Sequence, residues 1–342
     1  MTGVLPALQV FDPDDAQTRI FKAALNDPLD AYAVLEAWER DDPMAVVTYL
    51  AGPGKWMRGQ LQLVYANLAA PLDQKPLACR PYLKTAALRE RKRYEMFLSC
   101  LRDARSTLSD AGRDYCVVKG VAAAYAAYAE PQLRHCHDLD VVVRAADQMA
   151  FAEALTACGF RQAAMQGPPG GPSLRVDHPV GLPVMLHSAP VAGDPRFSAD
   201  WMLRDTIRSD TEAGAVPIPQ RARRIAHTWV QRFGCDRYAR QAWVPDTGLE
   251  LRACGSEDLE ELNKILATWP DLSECRASAT YLSTHIDPLP QLSQLRWPSP
   301  ALGGKARAAQ RARFIQRARA QAVTEPFLNH VPFAMRARFS YD

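Results

Sequence analysis

Two aspartates separated by one residue, Asp138 and Asp140, stand at the start of the apolar run Val141-Val142-Val143. On a β-strand alternate side chains share a face, which puts these carboxylates on one side of the strand and roughly 7 Å apart along it. Like charges so placed repel each other unless a cation lies between them. One or two carboxylates, completed by substrate phosphates, are what Mg²⁺ takes in phosphate-transferring sites. A D-x-D run in a surface loop needs no cation, so the spacing alone leaves both readings open.

The flanking elements favour the first. Tyr115 to Val118 is apolar and β-branched enough for a buried strand, and Gly120 opens an Ala-rich helix from Val121 to Tyr128. Free amides and the positive end of a helix dipole at such a junction seat phosphate, here at Gly120 and Val121. Lys119 adds a mobile cation. After a loop from Pro131 to His137 comes the Asp-Leu-Asp strand, then a helix from about Ala145 to Cys158 with Met149, Phe151 and Leu155 on its apolar face. Phosphate seat and carboxylate pair thus fall on neighbouring elements of one α/β unit.

The stretch YCVVKGVAAAYAAYAEPQLRHCHDLDVVVRAADQMAFAEALTACGF resembles the core of the uncharacterised nucleotidyltransferase family of the DNA polymerase β-like superfamily. Lys119, Gly120, Arg134, Asp138, Asp140 and Arg144 stand at the places of that family's motifs, across roughly residues 85 to 190. The resemblance implies an α+β fold: a mixed sheet with flanking helices, plus helical N-terminal and C-terminal regions. It implies an enzyme that binds a nucleoside triphosphate with Mg²⁺ or Mn²⁺ at Asp138 and Asp140. The triphosphate is met by Lys119, the amides of Gly120 and Val121, and Arg134. The nucleotidyl or related phosphate-linked group passes to a hydroxyl of a small molecule or peptide.

The family pattern also expects a third carboxylate in an apolar-acid-apolar-His context. Here Val184-Met185-Leu186-His187 has Met185 in the acid's place. A thioether neither ligates hard Mg²⁺ nor accepts a proton. His187, two residues on and on the same strand face, either serves as general base or is a hydrogen-bonded residue at a strand end. Asp177, on the preceding strand-like segment, is a second substitute from across a hairpin. A catalytically weakened protein that binds nucleotide or a partner as a scaffold is therefore the alternative function.

The chain of 342 residues, 48% apolar and 23% charged, has the composition of a soluble globular protein long enough for two or three domains. No run reaches the ~18 apolar residues of a spanning helix. The N-terminal stretch lacks a basic region before its first acids, so the expectation is a cytoplasmic protein with no membrane partner. Eight cysteines without C-x-x-C spacing read as buried small hydrophobes rather than a zinc site or a disulfide framework.

The net charge of +3 is uneven. Residues 301–342 hold eight basic residues against two acids, on a pattern that is helical from about Lys305 to Ala322. That run reads as a solvated helix face or as a surface steering an anionic partner; only Phe314 interleaves it, which speaks against RNA. The organisation expected is an N-terminal helical region over 1–84, a nucleotidyltransferase core over 85–200, and a C-terminal helical domain over 201–342. Gly52-Pro53-Gly54-Lys55 fails the Walker spacing, and the Gly/Pro loop 167–172 offers too few amides to hold phosphate. The run Arg89-Glu90-Arg91-Lys92-Arg93 reads as a solvent face of a long helix from about Thr85 to Leu108. His227, in a later helix, either contacts substrate or is a core histidine.

Overall fold

The computed structural model describes residues 12–51, 59–162, 173–180, 182–191, 194, 196–232, 242–269 and 272–298. The basic run beyond Ala301, the Gly52–Lys55 segment and the Gly/Pro loop at 167–172 lie outside them.

Asp14 begins the helical part of the chain with a capping box: its carboxylate accepts from the Gln17 amide at 2.8 Å, and the Gln17 side chain accepts from the Asp14 amide at 2.9 Å. Helix α1 (Asp15–Leu25) follows, then α2 (Pro28–Asp41), α3 (Pro43–Ala51), α4 (Leu61–Gln74) and the long α5 (Arg80–Asp110). The sheet region then runs β1 (Tyr115–Val117), α6 (Lys119–Ala127), β2 (Leu139–Val143), α7 (Gln148–Ala157), β3 (Arg161–Gln162), β4 (Ser173–Asp177) and β5 (Pro183–His187). After α8 (Ala199–Leu203), a two-stranded ribbon of β6 (Ile207–Ser209) and β7 (Val216–Ile218) leads into α9 (Arg221–Gln231), α10 (Trp243–Arg252), α11 (Ser256–Thr268) and α12 (Ser273–His285).

The five strands pair in the order β1-β2-β5-β4-β3. Only β2 and β5 are parallel, so the sheet is mixed and the chain is α+β with helical flanks, as the sequence implies. Strand alternation divides the sheet's side chains between two cores. Val117, Leu139, Val141, Val143, Val176, Val184 and Leu186 pack with Phe97 and Leu101 of α5 and Phe151 and Leu155 of α7. On the other face Cys116 and Val142 join a second cluster that runs from Ile20 in α1 to Leu295 and includes Trp229 and Val244. That second face carries Asp140, Met185, His187 and Ser173, which the pairing register aligns: Asp140 beside Met185, and His187 opposite Ser173. No helix among the described residues is long and apolar enough to cross a membrane.

A polar cluster at the strand ends and the helix that opens over it

Asp140 is buried because the second and fourth residues of β2 point into the second core, and a buried carboxylate needs a partner. Lys119 supplies it, with Nζ 2.6 Å from Oδ1. The same oxygen is 2.5 Å from His187 Nε2, and Lys119 Nζ lies 3.3 Å from that nitrogen. His187 Nδ1 meets Ser173 Oγ across the β4–β5 pair at 2.7 Å. Four of the strand-end residues thus form one connected chain.

Charge within it is set by these contacts. Burial pushes the Asp140 carboxyl up, but the Lys119 ammonium and the His187 hydrogen bond overcome it, and the net direction is strongly down. Asp140 is therefore ionised. Burial first, and Lys119 second, push His187 below its ordinary value against the pull of Asp140 and Asp138, so its imidazole is neutral near pH 7. With Asp140 ionised, the Nε2 hydrogen points to Oδ1 and Nδ1 is left to accept from Ser173.

Lys119 reaches Asp140 from the strand-to-helix junction in a left-handed backbone conformation, φ 57°. For a lysine this conformation is strained, and it persists because the Val118 amide is tied to the Asp140 carbonyl at 3.0 Å and α6 begins at once. Val118, at the N-cap of α6, makes no side-chain cap hydrogen bond. Gly120 is not there for a positive φ. A Cβ on it would lie 3.3 Å from Arg134 Nη2 and 3.3 Å from Cys136 Sγ, so glycine is what lets the guanidinium pack over the start of α6.

Arg134 is bound there by a bidentate pair with Asp246 of α10, at 2.7 and 2.9 Å, and Asp246 also accepts from Tyr128 at 2.7 Å. The expected phosphate contact is thus a residue whose charge the fold already matches. Asp138 sits at the mouth of β2 with its side chain 28% exposed, 3.6 Å from His137 Nε2, and its charge reaches His187. Val121 is buried in α6. Asp177 is not at the site: it pairs with Pro183 at the far end of the β4–β5 hairpin from His187, and its carboxylate accepts from Arg175 at 2.7 Å. His227 is buried, with Nε2 3.3 Å from the Pro190 carbonyl, and burial together with Lys119 pushes it down to about 3. It lines a narrow cleft with Lys119, Ala123, Thr228, Asp246 and Thr247.

The charged run on α5 corrects a sequence expectation. Lys92 is on solvent, but Glu90 is buried, with Oε2 2.7 Å from His135 Nδ1, and Arg93 donates to the Cys136 carbonyl at 3.2 Å. Glu90 turns inward because α5 passes beside the 131–137 loop, where a histidine can meet it. Asp246 and Ser173 are the site residues that sequence reasoning missed; their partners are 112 and 14 residues away, and no local motif marks either.

Among the described residues no group of three or more His, Cys, Asp or Glu side chains is arranged to hold a metal. What exists is a pair of carboxylates, Asp140 with Oδ1 already engaged and Asp138 at the mouth, with Met185 beside Asp140 where a third acid would stand. Such a pair suits one Mg²⁺ completed by substrate phosphates rather than a cage made by protein alone.

A family model described as "Uncharacterised nucleotidyltransferase" matches residues 58–233. Among solved structures, an antigenic nucleotidyltransferase-like protein from Paracoccidioides brasiliensis is similar at 14% identity and a TM-score of 0.36, covering 55% of this chain and 93% of its own. No curated protein matches the chain.

Proposed function

The chain belongs to the uncharacterised nucleotidyltransferase family, and from that premise we propose that it binds a nucleoside triphosphate with Mg²⁺ or Mn²⁺ and transfers the nucleotidyl group to a hydroxyl of a small molecule or peptide. The observation that carries the reading is the Lys119–Asp140–His187 cluster at the start of α6: a buried carboxylate, the ammonium paired with it, and an imidazole within one hydrogen bond. Asp138 and Asp140 would hold the metal ion, which supplies charge neutralisation at the phosphates. Lys119, paired with Asp140 at 2.6 Å, would be the cation placed to meet the triphosphate. The Gly120 and Val121 amides then face the same anion, while Arg134 holds the start of α6 in place through Asp246. His187 takes the acceptor proton.

One observation favours a second reading, nucleotide binding without turnover as a scaffold: Met185 lies beside Asp140 in the sheet. The two separate in one experiment. Labelled nucleotide with Mg²⁺ or Mn²⁺ is followed for release of pyrophosphate and, in parallel, for binding. Turnover lost in Asp138→Asn and Asp140→Asn supports the transferase. Binding without pyrophosphate release supports the scaffold, and absence of binding removes both.

A further inference from the structure

Ser173 brings a hydroxyl into contact with the base at this site. It opens β4, is half-buried, and sits cross-strand from His187, with Oγ 2.7 Å from Nδ1. On the far side of the ring, Nε2 is 2.5 Å from Asp140 Oδ1, and Lys119 keeps that carboxylate ionised. A hydroxyl that donates to a neutral imidazole, whose other nitrogen is fixed by a carboxylate, is the arrangement that activates a serine nucleophile, whichever of the two nitrogens faces the serine.

We propose that Ser173 is a base-activated nucleophile and itself accepts the nucleotidyl group, so that the chain modifies its own β4. This rests on the reading that the site takes a nucleoside triphosphate. Ser173 Oγ attacks the α-phosphorus; the Oγ–P bond forms as the bond from that phosphorus to the bridging oxygen breaks. Pyrophosphate leaves with the electron pair. The serine proton passes to His187 Nδ1 and from there to solvent, leaving a phosphodiester on Ser173.

The test is intact-mass and peptide mass spectrometry of the full chain after incubation with each of the four nucleoside triphosphates and Mg²⁺ or Mn²⁺. The expected result is a gain of one nucleoside monophosphate less water, mapped to Ser173 and absent from Ser173→Ala. In His187→Gln the rate should drop by roughly 10²-fold or more. A second arm uses diisopropyl fluorophosphate, which needs no nucleotide. It should label Ser173, and the label should be lost in Ser173→Ala and slowed in His187→Gln. Nucleotide bound, or pyrophosphate released, with Ser173 unmodified overturns the proposal while leaving the nucleotide-binding reading intact. Where no nucleotide binds, the function falls on its own, and the fluorophosphate decides: an unlabelled Ser173 overturns the nucleophile as well.

Discussion

Lowering the pH should weaken the packing of α9 against the helices around it through a single residue. His227 is 2% exposed, and burial with the nearby Lys119 charge brings it to about 3. In the unfolded chain a histidine takes its proton near pH 6.5. Between those values the unfolded state binds the proton and the folded state does not, so stability falls as pH falls through this window. From pH 7 to pH 5 the difference amounts to about 2 kcal/mol. His187, also held below its ordinary value, adds to the loss in the same sense. Asp140, displaced downward, contributes stability that is present above the carboxylate's unfolded value near 4 and is lost only below it, so it does not confound this range. The assay is urea unfolding of the chain and of His227→Gln at both pH values. Glutamine keeps an amide donor for the Pro190 carbonyl but cannot titrate. The variant should lose about 2 kcal/mol less than the parent between the two conditions. An equal loss in both proteins would refute the argument that His227 is held neutral by its surroundings.

Three further outcomes follow from the cluster. Lys119→Met leaves Asp140 buried without its cation, which should cost about 3–5 kcal/mol in unfolding, with most of it recovered when Asp140→Asn is added; a single-variant loss under about 1 kcal/mol would show the pair to be loosely held. Gly120→Ala brings a Cβ to 3.3 Å from Arg134 and Cys136. It should destabilise by about 1–3 kcal/mol because Arg134 is fixed on Asp246 and has little room to give, and an unchanged melting temperature would refute that. Mn²⁺ followed by its paramagnetic resonance should bind the free chain weakly and at least about tenfold more tightly with nucleotide present, since two carboxylates need phosphate oxygens to complete the shell; tight binding without nucleotide would contradict the donor set described above.

The strand-helix-strand unit was legible because its periods are short. Apolar β-branched runs at Tyr115–Val117 and Leu139–Val143 and the Ala-rich α6 are local patterns, and the register sets Met185 beside Asp140. What the sequence did not reveal are pairings made over distance. Glu90 was hidden in a basic run because its partner His135 is 45 residues away, and nothing in the run itself tells which charge turns inward. Asp177 and Ser173 belong to one strand, and only the hairpin register decides which end meets His187. The backbone of Lys119 was equally silent: a Lys-Gly pair suggests that the glycine takes the left-handed conformation, whereas here the lysine does.

The arginine expected to face phosphate explains why the helices beyond the sheet belong to the site. Arg134 is largely buried on a loop at the start of α6, where the helix dipole opposes a cation, and so it requires an anion of its own. Asp246 provides one from α10, with Tyr128 donating to the same carboxylate. Because two guanidinium hydrogens and one hydroxyl are already spent on Asp246, an incoming triphosphate gains little from Arg134 unless that pair breaks, and breaking a buried pair costs several kcal/mol. Lys119 pairs with Asp140, which on the proposed reading would also hold the metal ion, so a bound cation would offset the loss of that pair. On the proposed reading, neutralisation of the phosphates would fall to Lys119, with Arg134 fixing the junction from which Lys119 reaches. Arg134→Lys, which keeps the charge and loses the fork, should accordingly lower stability more than it lowers nucleotide affinity once the folded fraction is accounted for.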